Sequence, residues 1–269
     1  MNILKRTLAP LTDAAWQEID EEARLVLEAN LAARRFVDVI GPLGWEASAV
    51  NLGRLEDVDT EGEVRWGTRK VQPLVEFRVP FTVSRWELDN LDRGAPEVDL
   101  DPVRKAAWTA ARFEERAIYH GLPEARAQGL LGSAELAPLA LPNDVEQLPE
   151  QIATGLMRLA DAGVDGPYLL VLGDQEFRAV AGTAGGYPLR ESLIGLVGHA
   201  PVYSPGLEGA LLVSTRGGDF RLTLGVDLSI GFDHAEGDDV HLYLTESFAF
   251  SVLGPEAHVV LTRAPSAKT

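Results

Sequence analysis

Apolar residues recur at helical spacing between Asp99 and Gly121, with Arg, Lys and Glu on the opposite face. The apolar positions are Val103, Ala107, Ala110, Ala111, Phe113, Ala117 and Ile118. Asp99 or Asp101 suits the N-cap, and Gly121 suits the end. At 1.5 Å per residue, the predicted helix over 101–120 is about 30 Å long, the width of a domain.

A second amphipathic helix is predicted over residues 12–39, and it carries two apolar stripes. One stripe consists of Trp16, Ile19, Ala23, Val26, Leu27 and Leu31. The other consists of Leu25, Ala29, Ala32, Ala33 and Phe36. A helix with two apolar stripes contacts two bodies, so we expect one stripe to face the helix's own core and the other to face a partner.

Strict alternation of apolar and polar residues over 75–84 predicts a β-strand. Pro80 cannot donate to a sheet, so this strand is expected at an edge. An acidic turn at 56–62 precedes it, and together they predict a long hairpin over 46–80. This hairpin is either internal to a sheet or an arm that reaches a neighbouring subunit.

The second half of the chain predicts an alternation of helices and strands, followed by strands. A helix near 148–159, a buried strand at 168–172 and helices at 175–181 and 189–196 are expected. A glycine-rich loop separates the last two helices. Strands are then predicted at 210–215, 220–224, 228–232, 240–250 and 257–261, with a frayed tail at 264–269. The fold class is therefore α+β.

Composition narrows the function classes. The 269 residues are 46% hydrophobic, and 24 basic against 41 acidic residues give a net charge of −17. Nucleic-acid binders need clustered Lys and Arg, so a nucleic-acid partner is disfavoured. There is no cysteine, which excludes disulfides and thiolate chemistry and fits the cytoplasm. We expect no signal peptide and no membrane partner, since no long apolar run occurs.

Catalytic motifs are absent from the sequence. The five histidines, His120, His199, His234, His241 and His258, include no pair with the helical i, i+4 spacing of a zinc protease. No Gly-x-Ser-x-Gly elbow occurs. Gly182–Gly186 lacks the Lys-Ser/Thr ending of a phosphate-binding loop. We therefore predict no catalytic residue, no metal site and no cofactor, and a monomeric α+β enzyme is disfavoured.

Short stretches spread over nearly the whole chain form one recognisable set. They are Leu4-Lys5-Arg6 with Leu8-Ala9-Pro10-Leu11, Trp16-x-x-Ile19-Asp20, Arg35-Phe36-Val37-Asp38-Val39 with Gly41-Pro42-Leu43-Gly44-Trp45, Trp86-Glu87-Leu88-Asp89-Asn90-Leu91 with Arg93-Gly94-x-Pro96, Gly166-Pro167-Tyr168, Gly186-Tyr187-Pro188-Leu189, and Arg216-Gly217-Gly218-Asp219-Phe220 leading to Asp227-Leu228-Ser229-Ile230-Gly231. In this order they resemble the encapsulins, shell proteins with the HK97-like capsid fold of tailed phages.

The resemblance implies a division of the chain into the parts of that fold. The helix at 101–120 would be the spine of a P-domain, and the hairpin would be an extended E-loop that pairs with a neighbour. The implied ranges are 1–45 for the first helix and start of the P-domain, 46–80 for the E-loop, 81–135 for the P-domain with its spine helix, 136–215 for the A-domain, 216–263 for the P-domain sheet and 264–269 for the tail.

The resemblance also implies a function: an icosahedral cage of about 60 copies that encloses a ferritin-like protein or a dye-decolourising peroxidase. The cargo would be held through a C-terminal targeting peptide. Expected peptide-binding residues are Leu27, Leu31, Arg34, Asp38, Leu228 and Ile230. Alternatively, these residues only pack the first helix onto its own domain. The expected five-fold pore loop is Gly182, Thr183, Ala184, Gly185, Gly186 and Tyr187. A phage capsid protein that packages DNA is the competing function.

Overall fold

The computed structural model describes residues 3–182 and 186–263. Its helices are α1 (Asp13–Asn30), α2 (Arg85–Asp92), α3 (Asp101–His120), α4 (Leu130–Ser133), α5 (Leu148–Asp161), α6 (Asp174–Gly182) and α7 (Gly186–Val197). Its strands are β1 (Asp38–Ile40), β2 (Ala49–Glu61), β3 (Val64–Pro73), β4 (Val75–Ser84), β5 (Gly121–Leu122), β6 (Ala127–Gln128), β7 (Leu139–Ala140), β8 (Tyr168–Leu172), β9 (Val202–Tyr203), β10 (Ala210–Ser214), β11 (Phe220–Glu236), β12 (Asp239–Val252) and β13 (His258–Thr262). The predicted α+β class is confirmed.

A four-stranded sheet in the order β1-β11-β12-β4 forms one half of the protein. The alternating strand β4 lies at its edge, as the proline predicted, with Pro80 opposite Tyr243. The prediction of two separate strands at 220–224 and 228–232 is wrong. Both belong to β11, whose pairing with β12 shifts register between Leu224 and Val226 and again before Ser229. Such bulges bend a strand without ending it.

A five-stranded sheet in the order β7-β13-β10-β8-β9 forms the other half. The predicted buried strand β8 lies inside it. Strand β13 also pairs here, with β10 and β7, so the assignment of 216–263 to one sheet is wrong beyond Val252. His258 to Leu261 are all buried, as expected for a strand inside a sheet that is covered on both faces.

Strands β2 and β3 form a separate two-stranded hairpin. It is shorter than the predicted 46–80 span, because β4 pairs with β12 along its whole length. Most of the hairpin is exposed, including several large apolar side chains. These are Leu55, Val58, Val64, Trp66 and Val71, each exposed by 44% or more of its surface.

The first helix ends at Asn30, well before the predicted residue 39. A 3-10 turn (Ala33–Arg35) and β1 follow it. The backbone leaves the helical path because the N–H of Ala33 donates to the buried Glu115 carboxylate at 2.7 Å. The inner stripe of α1 is buried at Ala15, Trp16, Ile19 and Ala23. The second predicted stripe does not form one face of the helix. Leu25 lies on α1 but is half exposed, whereas Phe36 is buried and lies after the end of α1.

Helix α3 has the predicted bounds and ends at Gly121, whose φ of 81° is accessible to glycine. It passes through both hydrophobic cores of the protein. Its first half, including Ala107 and Ala110, packs with α1 and β4. Its last turn, including Ile118, packs with the core of the five-stranded sheet. The prediction that glutamates lie on its exposed face is wrong for Glu114 and Glu115, which are fully buried between the two cores.

Among the helices in the described ranges, none is both long and apolar enough to cross a membrane.

The small residues of α3 determine how closely its neighbours approach. Ala110 is fully buried and Thr109 beside it is exposed. Ala110→Leu is expected to destabilise the fold by about 1–3 kcal/mol through overpacking. Differential scanning calorimetry should show a fall of roughly 2–4 °C per kcal/mol in the unfolding temperature. Thr109→Leu is the matched control and should change stability by less than about 0.5 kcal/mol. Equal effects of the two substitutions would contradict this packing.

Candidate functional site

A groove of about 600 Å³ runs between α1 and β11. Its floor is apolar, because the two elements present matching rows of side chains. Residues spaced four apart lie on one face of a helix, and residues spaced two apart lie on one face of a strand. The lining residues are Leu4, Arg6, Asp20, Ala23, Arg24, Leu27, Glu28, Leu31, Arg34, Arg35, Asp227, Leu228, Ser229, Ile230 and Leu244.

The N-terminal segment closes one end of the groove. The N–H of Phe232 donates to the carbonyl of Leu4 at 2.8 Å, and the Tyr243 hydroxyl donates to the carbonyl of Ile3 at 3.1 Å. Arg6 lies over the Trp16 ring and forms two hydrogen bonds to Asp20, at 3.1 and 2.6 Å. These contacts fix the segment against α1 and β11, so one end wall of the groove is built from the chain's own beginning.

The rim of the groove carries charges of both signs. Arg24 bridges Glu28 at 2.7 Å and Glu21 at 2.6 Å on the exposed surface of α1. Such exposed pairs add little stability, about 0.3–0.5 kcal/mol for helical neighbours. Their side chains are therefore available to a bound segment. An apolar floor with a mixed-charge rim suits a short peptide with aliphatic anchors.

The opposite end of the groove is a buried ion-pair network around Arg34. Its guanidinium contacts Glu114 at 2.5 Å, Glu246 at 2.8 Å and Asp227 at 3.0 Å. Glu114 and Glu246 are completely buried. Burial first, and then the charge of Glu114, raise the pKa of Glu246 well above its usual range, while Arg34 opposes them. Protonation of Glu246 lowers the negative charge that one arginine must balance.

Glu115 is a second buried carboxyl group beside this network. It accepts hydrogen bonds from the N–H of Ala33 at 2.7 Å and from the hydroxyl of Ser204 at 2.6 Å. Burial raises its pKa to about 7, although both hydrogen bonds oppose the shift. The carboxyl group thereby links the chain after α1 to the loop after β9.

The structure brings five of the six residues predicted to bind a peptide to this groove: Leu27, Leu31, Arg34, Leu228 and Ile230. Asp38 lies elsewhere. It belongs to β1, where its carboxylate accepts a hydrogen bond from the N–H of Gly218 at 2.7 Å. The chain turns away from the groove after Phe36, which is buried in the core of the five-stranded sheet.

Two of the five differ from the predicted role. Arg34 does not offer a free charge, because its guanidinium is occupied by three of the chain's own carboxylates. Ile230 is only 4% exposed and belongs mainly to the core beneath the groove. The more accessible floor is Leu27 and Leu228, both of which are half-buried.

The charged rim of the groove was not among the predicted site residues. Asp20, Arg24 and Glu28 recur every four residues beside the apolar row of Ala23, Leu27 and Leu31. That spacing places them on one face of the helix and was visible in the sequence. Leu4 and Arg6 also line the groove. The periodicity of the sequence could not predict this, because both residues lie before the first predicted helix.

The predicted pore loop lies only partly within the described residues. Thr183, Ala184 and Gly185 lie outside them. Gly182 ends α6, while Gly186 begins α7 and Tyr187 follows it. The helix α7 therefore starts three residues before the predicted position 189. The role of this loop stays a prediction.

A family model described as "Encapsulating protein for peroxidase" (Linocin_M18) matches residues 1–249. The chain belongs to this family. Type 1 encapsulin shell proteins of Rhodospirillum rubrum and Brevibacterium linens are 44% and 46% identical to it. The alignments cover 100% and 97% of this chain, and 99% and 100% of those proteins. The type 1 encapsulin shell protein of Mycobacterium tuberculosis is 42% identical over 97% of this chain and 100% of its own length.

Solved structures support the capsid fold of this encapsulin family member. A virus-like particle protein from Pyrococcus furiosus has a TM-score of 0.64 at 16% identity, and the match covers 91% of this chain and 98% of that one. A chain from the structure of Microbacterium phage Oxtober96 has a TM-score of 0.57 at 14% identity, and the match covers 87% of this chain and 91% of that one. The predicted HK97-like fold is confirmed.

The raised pKa of Glu115 in this encapsulin family member makes stability depend on pH. Between pH 4.5 and about 7, the folded chain keeps a proton on Glu115 that the unfolded chain releases. The free energy of unfolding that Glu115 contributes is therefore highest below pH 4.5 and decreases as pH rises towards about 7. Glu115→Gln keeps an acceptor for Ala33 and a donor for Ser204 without a titrating group. We expect the variant to gain stability relative to the parent as pH rises from 5 to 8, about 1.4 kcal/mol per pH unit at most. Denaturant unfolding at several pH values measures this, and parallel pH profiles of the two proteins would contradict it.

Proposed function

We propose that this chain is the self-assembling shell protein of an encapsulin compartment and has no catalytic role of its own. The observation that carries the proposal is the match over nearly the full length to type 1 encapsulin shell proteins at 42–46% identity. The fold, shared with a virus-like particle protein and with the capsid of a GTA particle, supports it. In this proposal about 60 copies close into an icosahedral cage in the cytoplasm.

Exposed apolar side chains on the β2–β3 hairpin support assembly. Leu55, Val64 and Trp66 are 60%, 62% and 47% exposed in the single chain. Apolar side chains clustered on one exposed element mark a protein interface. The hairpin is joined to the rest of the chain at its base, where Gln72 donates to the carbonyl of Ala125 at 2.7 Å. We infer that it is the arm that pairs with a neighbouring subunit.

The alternative, a capsid that packages DNA, has less support. Chains from two phage structures share the fold at only 14% and 17% identity, whereas the encapsulin shell proteins are more than 40% identical to this chain. The net charge of −17 also disfavours a DNA-filled particle, because packaged DNA attracts basic inner surfaces.

We assign the groove between α1 and β11 to a C-terminal targeting peptide of the cargo. Leu27 and Leu228 would contact the aliphatic anchors of the peptide, and Arg24, Glu28 and Asp20 on the rim would fix its register. Leu31 and Ile230 would support the floor from beneath, and Arg34 would hold one end of the groove through its ion pairs. The family description names a peroxidase as the enclosed protein, which makes a peroxidase the first cargo to test.

The hairpin makes a direct prediction about assembly. The double substitution Leu55→Asp and Val64→Asp places two charges on exposed positions, so the single chain should still fold. Size-exclusion chromatography should show a shift from a cage of megadalton size to single chains or small oligomers, with an unchanged circular dichroism spectrum. Thr60→Asp, on the same hairpin, should still form cages. Normal cages from the double variant would contradict the role of the hairpin. A separate measurement on the parent cages tests the alternative function: a 260/280 nm absorbance ratio typical of DNA would favour a phage capsid.

The groove makes a separate prediction about cargo. Leu27→Asp places a carboxylate on the accessible floor, where burying it against an apolar peptide is unfavourable. Cages should form normally but load a co-expressed peroxidase at least about tenfold less, which corresponds to 1.4 kcal/mol. Peroxidase activity and the band ratio on denaturing gels of purified cages measure loading.

Leu25→Asp is the matched control for that experiment. Leu25 lies on the same helix, is 51% exposed and does not line the groove. This variant should load like the parent, and a peroxidase without its C-terminal peptide should not load in either case. Normal loading by Leu27→Asp, or equal losses in both leucine variants, would remove the groove from the proposal.

A further inference from the structure

A group of three metal-ligating side chains lies at the tip of the β11–β12 hairpin, away from the groove. His234 and Glu236 are two residues apart on β11 and therefore point to the same face. His241 stands opposite His234 on β12. Each side chain offers a ligand atom within 4.8 Å of the others. We propose that this group binds a divalent transition-metal ion such as Zn²⁺.

The pairing of the strands places the imidazoles side by side. The rings of His234 and His241 stack with centroids 4.2 Å apart and planes 6° from parallel. In a tetrahedral zinc site, bond lengths of about 2.0–2.2 Å place ligand atoms about 3.3 Å apart. His234 and Glu236 are exposed, so their side chains have room to rotate and close the present spacing of up to 4.8 Å to that distance.

The hydrogen bonds of the two rings leave the same nitrogen free on each. Nδ1 of His234 contacts the Asp233 carboxylate at 3.0 Å, and Nδ1 of His241 contacts the Thr82 hydroxyl at 3.0 Å. The remaining nitrogen, Nε2, is thus available as the metal ligand. A carboxylate behind a ligating histidine orients the ring and strengthens its bond to the metal. Asp233 is placed to do this for His234.

The surrounding charge favours a cation. Asp239 stands opposite Glu236 in the strand register, and Asp233 precedes His234. Two imidazoles and one carboxylate select Zn²⁺, Co²⁺, Ni²⁺ or Cu²⁺ over Mg²⁺ and Ca²⁺, which prefer oxygen ligands. Three protein ligands leave one tetrahedral position for water or for a group from another molecule.

Metal binding by untagged, assembled shells tests the proposal. Co²⁺ and Zn²⁺ are added as probes in the presence of excess Mg²⁺, which saturates sites made of carboxylates alone. Parent shells should retain about one Zn²⁺ per chain after desalting, and Co²⁺ should give the visible absorption of a nitrogen-containing, tetrahedral site. Elemental mass spectrometry counts the bound Zn²⁺ ions per chain, and isothermal titration calorimetry measures their affinity.

Three variants separate this site from general metal binding. The double substitution His234→Asn and His241→Asn should weaken Zn²⁺ binding at least about tenfold and abolish the cobalt spectrum. Asp233→Asn should weaken it about tenfold while leaving the spectrum tetrahedral. His199→Asn removes an exposed histidine outside the group and should change nothing. Three results would overturn the proposal: no Zn²⁺ retention by the parent, unchanged retention by the double variant, or an equal loss in His199→Asn.

Discussion

The buried contact between Arg34, Glu114 and Glu246 is the interaction on which the arrangement of the chain depends. It lies between the two hydrophobic cores, at the level where α3 passes from one core to the other. Three segments far apart in sequence meet there: the turn after α1, helix α3 and the centre of β12. Burying such charges is costly, and removing one partner of a buried pair costs about 3–5 kcal/mol because the other is left uncompensated. The network therefore constrains these segments to one relative position.

The same network determines the groove. Arg34 follows the helix that forms one wall, and Asp227, which it also contacts, directly precedes the strand residues of the other wall. The two walls are therefore held at a fixed spacing from one end, while the N-terminal segment closes the other end through Leu4. A pre-formed groove lowers the entropy lost when a flexible peptide binds. Arg34, Asp227 and Leu4 position the groove, whereas Leu27 and Leu228 on its floor are proposed to contact the peptide.

The β2–β3 hairpin and the tip of the β11–β12 hairpin extend the protein beyond its cores. The first exposes apolar surface that a single chain leaves uncovered, in keeping with the proposed assembly into a container. The second places two histidines and a glutamate on one face, with an acidic and a hydroxyl group behind the rings. Both depend on strand pairing for their geometry. In each case two paired strands form the backbone, and the side chains on its exposed face carry the proposed role.

The sequence by itself determined the elements whose pattern is local. Helix α3, with Gly121 at its end, and the edge strand with Pro80 followed from periodicity and from the backbone properties of glycine and proline. The family motifs predicted the capsid fold. The predicted aspartate cap of α3 is wrong, because Leu100 occupies the N-cap position and forms no side-chain cap hydrogen bond. Tertiary structure alone decided that α1 ends at Asn30, that Glu114 and Glu115 are buried and that Asp38 leaves the groove for β1. It also decided that β13 joins the five-stranded sheet, and that His234 meets His241 across two strands. The reason is that helical and strand periods depend on neighbours a few residues apart. A buried charge, by contrast, is stable only beside partners such as Arg34 and Glu246, which lie more than 200 residues apart.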